Sequence, residues 1–365
     1  MRTSILLVAV AFALTGTTAA SAPNNADLQM RCLRDRTPDA AIAACNTLLQ
    51  MPDLDERIRS VALNGRANNY YAKRDFEHAI QDFSEAIMLM PNAMLYDNRA
   101  NVYRSMGKYD LAIEDGNKAI EIDPNSSYAF EGRANSYVRA GRFDLAEADY
   151  EQALKLGPER ASLYANRGGS YFLSKKFDLA IQDFDRALAL APKDFGALIN
   201  RGEVYRAMRQ NDRAIRDFDQ AISLAPNFGS AYGNRGLAYA SSGQCNRAIS
   251  DLGKAFGLGA VSYVALMTRA TCYMQVKQVD NALRDYDRAI MIDPTNSGAY
   301  NDRGSAYGTS GKLDQAIDDF STAIRLDPNS REAFQNRAIA KQLKGDVEGA
   351  KSDLARAREL GSTAN

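Results

Sequence analysis

Apolar residues recur at helical spacing through most of the chain, and residues 297–330 show the pattern most clearly. The first predicted helix of this stretch has its marker residues three and four positions apart, at Ala299, Tyr300, Arg303, Gly304 and Tyr307. Gly311 ends it, because glycine readily takes the left-handed conformation found at helix C-termini. A second amphipathic helix follows, with an apolar stripe of Ala316, Phe320, Ala323 and Ile324, and Pro328 stops it. The stretch therefore predicts two helices joined by a tight turn.

This helical pair is repeated along the chain. The arginine at position 303 has equivalents 33 or 34 residues apart, at Arg66, Arg99, Arg133, Arg167, Arg201, Arg235, Arg269 and Arg337. Alanines follow each of the nine arginines at 13 and 20 residues, and a tyrosine follows eight of them at four residues; Lys341 is the exception. Seven of the ten prolines lie 25 residues after an arginine. A period of this length, kept over nine copies, is typical of a helical repeat protein.

The 34-residue period, the small residues at fixed positions and the proline between units resemble the tetratricopeptide repeat (TPR) family, over residues 60–362. The resemblance implies an all-α fold, a right-handed α-solenoid of about nine antiparallel helix hairpins. Residues 26–52 are expected to form a divergent N-terminal capping hairpin, with Thr37 as N-cap and Pro38 in the first helical position. One departure is systematic, because the family often has an apolar residue where this chain has its repeated arginine.

The N-terminal segment predicts export. Arg2 precedes a ten-residue apolar run, from Ile5 to Leu14, and small residues follow it. Residues 1–22 therefore read as a signal peptide of a bacterial envelope protein, cleaved after Ala20 or Ala22. An uncleaved membrane anchor is the alternative, although the run is short for a bilayer span. The expected location is periplasmic or secreted.

Four cysteines in an exported chain suggest two disulfides. Units far apart in a solenoid do not touch, which leaves Cys32 with Cys45 and Cys245 with Cys272. The second pair would bridge a weak joint, where Gly257, Gly259 and Ala260 stand in place of a helix end and proline. Small buried thiols are the alternative interpretation.

An aspartate stands 16 residues after every repeated arginine, from Asp82 to Asp353. Both columns fall at similar height in one hairpin, which predicts nine structural arginine–aspartate pairs, or pairs shared with the next repeat. The alternative is a charged binding strip. Because the two signs always occur in step, the structural interpretation is favoured.

Composition and motifs speak against catalysis and nucleic-acid binding. Lys and Arg total 45 and so do Asp and Glu, so no basic footprint for nucleic acid exists. The single histidine, His78, lies on a polar helix side, and the sequence has no HExxH, CxxC or glycine-rich phosphate loop. We expect no enzyme activity, no cofactor, no metal site and no membrane span after signal removal.

In the TPR family, the first helices line a concave groove that holds an extended peptide or a helix. By this resemblance, the candidate partner-binding residues are Asn101, Arg104, Asn135, Arg139, Phe172, Ile199, Arg206, Leu237, Met267 and Met274. The arginines offer anchors for acidic or carbonyl groups, and the others offer mainly apolar contact. The lysines with which heat-shock cochaperones of the family grip a terminal carboxylate are missing. The sequence thus predicts a protein-binding scaffold of the cell envelope; the alternative is an accessory subunit that binds peptides or glycans for an envelope enzyme.

Overall fold

The computed structural model describes residues 25–362, which form twenty α-helices and no strand. The predicted signal peptide therefore lies outside the described residues. The helices are α1 (Asn25–Arg34), α2 (Pro38–Leu49), α3 (Glu56–Ala72), α4 (Phe76–Leu89), α5 (Ala93–Ser105), α6 (Tyr109–Ile122), α7 (Ser127–Arg139), α8 (Phe143–Leu156), α9 (Ala161–Leu173), α10 (Phe177–Leu190), α11 (Phe195–Ala207), α12 (Asn211–Leu224), α13 (Gly229–Ser241), α14 (Cys245–Gly257), α15 (Tyr263–Gln275), α16 (Val279–Ile292), α17 (Ser297–Thr309), α18 (Leu313–Leu326), α19 (Arg331–Lys344) and α20 (Val347–Ser362). The all-helical repeat fold predicted from the sequence is confirmed.

The chain divides into two compact units. The first ends at Gly157 and contains α1–α8; the second begins at Pro158 and contains α9–α20. Within each unit, an odd-numbered helix packs against the even-numbered helix that follows it, which makes a hairpin. Odd-numbered helices also contact one another, as α5 contacts α7 in the first unit and α11 contacts α13 in the second. We refer to the odd-numbered helices as first helices and to the even-numbered ones as second helices.

Each of the nine regular hairpins turns on one residue with a left-handed backbone, eight residues after its repeated arginine. Five of these residues are glycines, which bear this conformation at no steric cost: Gly107, Gly141, Gly243, Gly311 and Gly345. The other four are arginines or lysines with φ near +60°: Arg74, Lys175, Arg209 and Lys277. The turn is thus set by the hydrogen-bonding of the two helix ends and tolerates a side chain when that chain points to solvent.

The repeated arginine and aspartate pair within every hairpin. The Nε and Nη2 atoms of each arginine donate to both carboxylate oxygens, and in Arg201 these distances to Asp217 are 2.8 and 2.7 Å. The same bidentate geometry holds in all nine hairpins. The nine aspartates are only 2–8 % exposed, which excludes a surface binding strip. The structural interpretation of the charge columns is confirmed.

Most of these arginines also hold the preceding hairpin. In seven of the nine, Nη1 donates to an oxygen on the second helix before it, namely Asn46, Ser84, Asn117, Asp185, Asp219, Asp287 or Ser321. All eight repeated tyrosines place their rings 5.5–6.0 Å from the guanidinium of their own arginine. One side chain therefore ties together three helices and an aromatic ring, which gives a physical reason for arginine in this column.

Arg269 lacks this link to the preceding hairpin. Gly253 occupies the acceptor position on α14, and no side chain of the described residues takes its place as a hydrogen-bond acceptor for Nη1. The guanidinium instead lies 4.3 Å from the ring centre of Phe256. The disulfide Cys245–Cys272 joins α14 to α15 at this same joint, and Cys32–Cys45 joins α1 to α2. Both predicted pairings are present.

Candidate functional site

Four of the candidate residues lie in the first unit, and three of them are held by bonds inside the unit. Arg104 donates from Nη1 to the Gly132 carbonyl at 2.9 Å and to Ser136 Oγ at 3.1 Å, and from Nη2 to Asn101 Oδ1 at 2.9 Å. Asn135 accepts the Tyr150 hydroxyl proton at 2.6 Å. These hydrogen bonds connect α5, α7 and α8, so their main role is to hold the three helices together.

Burial shifts the pKa values of the ionisable groups in and beside this network. It lowers the pKa of the Arg104 guanidinium and raises the pKa of the Tyr150 phenol. It also raises the pKa of Asp97, whose carboxylate lies so close to Gly132 that a Cβ there would overlap it. Sequence reasoning missed Asp97, since its column varies from repeat to repeat; the glycine opposite it was the only signal.

Arg139, the fourth candidate in the first unit, is exposed. Its guanidinium lies 5.8 Å from the ring centre of Tyr109 on α6. The first unit therefore contributes one accessible arginine, which packs on an aromatic ring. Its other three candidate residues are already hydrogen-bonded to groups of the same unit.

Of the six candidates in the second unit, Ile199 belongs to the core. It is 7 % exposed and packs in the cluster built around Phe184 and Phe218, so its assignment to an open face is corrected. The helical spacing that placed it among the non-core positions does not distinguish a face covered by the next helix from an open one. Phe172 packs half-buried against the same cluster, with its ring centre 6.0 Å from that of Phe177.

Met267 and Met274 are half-buried against the cluster of α15–α17 that contains Tyr286. Each methionine as a whole is partly exposed. Flexible methionine side chains adapt well to irregular apolar partners.

Leu237 lines a cavity of about 190 Å³ between α13 and the start of α15. Gly233 and Asn234 form its wall on α13, and Val261 with Ala265 closes the other side. Gly233 has open space where a side chain would stand, apart from one contact at 3.8 Å. A glycine one turn before a half-exposed leucine thus opens a small apolar recess on a first helix.

Arg206 on α11 differs from every other candidate arginine. Its Nε atom is buried and has no hydrogen-bond partner among the described residues. Glu203 stands one turn earlier on the same helix, but its Oε1 accepts a hydrogen bond from Asn234 at 2.6 Å. Arg206 and Leu237 therefore lie on adjacent first helices, connected by the bond between Glu203 and a residue of the cavity wall.

A second recess, of about 320 Å³, lies between α17 and α19. Gly308 and Ser305 border it on α17, and Ile339 and Leu343 border it on α19 with 57 % and 68 % of their surface exposed. Two recesses with apolar walls thus occur on first helices of the second unit.

Within residues 25–362, no group of three or more histidine, cysteine, aspartate or glutamate side chains could hold a metal ion. His78 pairs with Asp75 through Nδ1 at 2.8 Å on an exposed helix start. None of the described helices combines the length and the apolar character that a bilayer crossing needs.

Comparison with protein families matches five tetratricopeptide repeat models to the chain, at residues 60–93, 89–159, 132–195, 196–228 and 270–333. Together these matches cover more than half of the sequence. The chain is a tetratricopeptide repeat protein. None of the curated proteins matches it.

Solved structures agree with this fold. The repeat protein aligns with the Cut9–Hcn1 hetero-tetramer of the APC/C at TM-score 0.57 and 13 % identity, covering 86 % of this chain and 62 % of that one. A tetratricopeptide repeat protein from Parabacteroides merdae aligns at TM-score 0.52 and 23 % identity, covering 64 % and 93 %. PilF of Pseudomonas aeruginosa aligns at 0.50 and 21 %, covering 55 % and 92 %. Likeness at these identities concerns the fold, and the repeat family supports a protein–protein interaction scaffold.

Proposed function

We propose that this repeat protein is a non-catalytic scaffold of the cell envelope that binds an extended segment or helix of another protein on the first helices of its second unit. The observation that carries the proposal is the recess beside Leu237, of about 190 Å³. A half-exposed leucine next to a space opened by glycine suits insertion of one apolar side chain. Binding energy concentrates in a few such positions in most interfaces.

Features of the second unit support placing the partner there rather than on the first unit. In the first unit, Asn101, Arg104 and Asn135 already bond to one another or to Tyr150 and α7. In the second unit, the unpaired Arg206, the recess of Leu237 and the recess of Ile339 leave polar and apolar groups available. The second helices repeat their residue types, whereas the first helices vary, as a surface must when it recognises an irregular partner.

The envelope location rests on two features. Residues 1–22 have the charge, apolar run and small residues of a signal peptide. All four cysteines are paired in disulfides, which persist in oxidising compartments such as the periplasm. Detection of an intact Met1 in protein purified from its native host would contradict export by cleavage.

Leu237→Asp is expected to abolish partner binding. A carboxylate at this position would have to be desolvated against the apolar side chain that the partner inserts, so affinity should fall at least ~10-fold. The measurement is recovery of envelope proteins on the immobilised variant after mild crosslinking, together with its melting temperature. Leu179→Asp is the matched control, since Leu179 is an exposed leucine on second helix α10. Full recovery by Leu237→Asp, or equal loss in both variants, would count against the first helices as the binding surface.

A further inference from the structure

We propose that Arg206 binds the carboxylate of an acidic side chain within the partner segment. This inference rests on the proposed function and specifies the chemistry that the second unit selects. It starts from the one candidate arginine whose buried Nε has no partner among residues 25–362.

Arg104 in the first unit is the equivalent of Arg206 and can be compared with it directly. Arg104 and Arg206 each lie five residues after a repeated arginine, at the same height of α5 and α11. Both Nη atoms of Arg104 donate to neighbours, namely to the Gly132 carbonyl, Ser136 Oγ and Asn101 Oδ1. An arginine at this height can therefore be bonded within the protein when its neighbours supply acceptors.

Around Arg206 the two side-chain acceptors are replaced. Ala238 stands where the first unit has Ser136, and it has no side-chain oxygen. Glu203 stands where the first unit has Asn101, but its Oε1 is taken by Asn234 on α13. These substitutions leave the Nε–H group of Arg206 without an acceptor, while the nearby Glu203 carboxylate is hydrogen-bonded to Asn234.

A carboxylate is the ligand that best suits the guanidinium of Arg206, whose Nε–H group is unbonded. A buried, unbonded donor carries a desolvation cost that a ligand acceptor removes, and an ionised acceptor removes most. The planar guanidinium matches the two oxygens of a carboxylate.

The position of α11 indicates a side chain rather than a chain terminus. Unit 2 has a first helix before α11 and four after it, so a segment lying along them continues past Arg206 in both directions. On α13, the next first helix, the recess of Leu237 would take an apolar residue of the same segment. The expected partner thus combines an acidic residue with a nearby apolar one.

The test uses two bead-displayed libraries of random decapeptides and the full mature chain. The first library is N-acetylated and C-amidated and contains all residues. The second has a free C-terminal carboxylate and lacks Asp and Glu. The expected result is enrichment of Asp or Glu at one position of the first library, falling ~10-fold in Arg206→Gln, which corresponds to one charge-assisted hydrogen bond.

Two further variants complete the design. Arg206→Glu should reverse the preference to Lys or Arg, and it keeps the test decisive if Arg206→Gln lowers the melting temperature. Arg216→Gln, an exposed arginine of α12 with the same loss of charge, should leave the enrichment unchanged.

The outcomes separate this inference from the proposed function. Enrichment of apolar residues without an acidic one, acidic enrichment that survives Arg206→Gln, or selection from the second library alone would overturn the role of Arg206 while the binding surface stands. If neither library gives any preferred residue, the proposed function fails together with it.

Discussion

Asp285→Ala is expected to destabilise the hairpin of α15 and α16 by about 3–5 kcal/mol, the cost of leaving a buried ion-pair partner alone. Asp285 is 2 % exposed and accepts both hydrogen bonds from Arg269, each 2.7 Å long. Burial lowers the pKa of Arg269, but the hydrogen bonds to Asp285 and the negative charge of that carboxylate act together against it, so the pKa of Arg269 is raised overall. Because Gly253 supplies no second acceptor, the variant leaves Arg269 with none of the acceptors that the structure describes.

The neighbouring repeats provide graded controls. Asp217→Ala should cost less, about 1–3 kcal/mol, because Arg201 keeps Asp185 at 2.6 Å. Asp212→Ala, at the exposed start of α12, should cost at most about 1 kcal/mol, the value of a carboxylate at a helix N-terminus. Hydrogen exchange of the backbone amides, read repeat by repeat, reports these differences locally. Equal protection losses in all three variants would show that the arginine–aspartate pairs do not stabilise the hairpins.

Gly202→Ala and Gly169→Ala are expected to change stability in opposite directions. A Cβ at Gly202 would lie 2.6 Å from Cε1 of Phe218, a ring that is fully buried and packed between α11 and α12. The overlap should cost about 1–3 kcal/mol, more than the gain of about 0.8–1.0 kcal/mol in helix propensity. Gly169 has no atom within 4 Å of such a Cβ, so only the gain remains.

The measurement for this pair is urea denaturation of each variant beside the parent. Both glycines lie in the middle of first helices of the second unit, so the unfolded states are closely matched. The Gly202 variant should unfold at lower urea concentration than the parent and the Gly169 variant at higher. Stabilisation by both substitutions would mean that the close approach of α11 to Phe218 does not require glycine.

The repeat, its helices and its charge pairs were predictable because each depends on local spacing. A 34-residue period fixes which residues share a hairpin, so Arg201 and Asp217 could be placed at similar height in one hairpin by counting alone. The disulfides followed from the same locality. The link from Arg201 to Asp185 was not foreseen, because it depends on the angle at which one hairpin meets the next.

The environments of the proposed binding residues were harder to predict for a physical reason. Ile199, Arg104 and Arg206 all occupy first-helix positions away from the core stripe, yet one is buried, one is bonded and one has an unpaired buried nitrogen. These differences arise from the residues that the adjacent helix presents, such as Ser136 against Ala238. The spacing of residues along one helix does not specify which residues the adjacent helix places against it. Spacing alone therefore could not distinguish the environments of these three residues.

Site-specific photo-crosslinking tests the central claim, which is that the first helices of the second unit bind a partner segment. A photoreactive amino acid replaces Leu237 in one variant and Gln220, exposed on second helix α12, in another. Both are expressed in the native host and irradiated in intact cells. We expect a discrete adduct with another envelope protein from position 237 and none from position 220. An adduct from position 220 alone, or none from either, would contradict it.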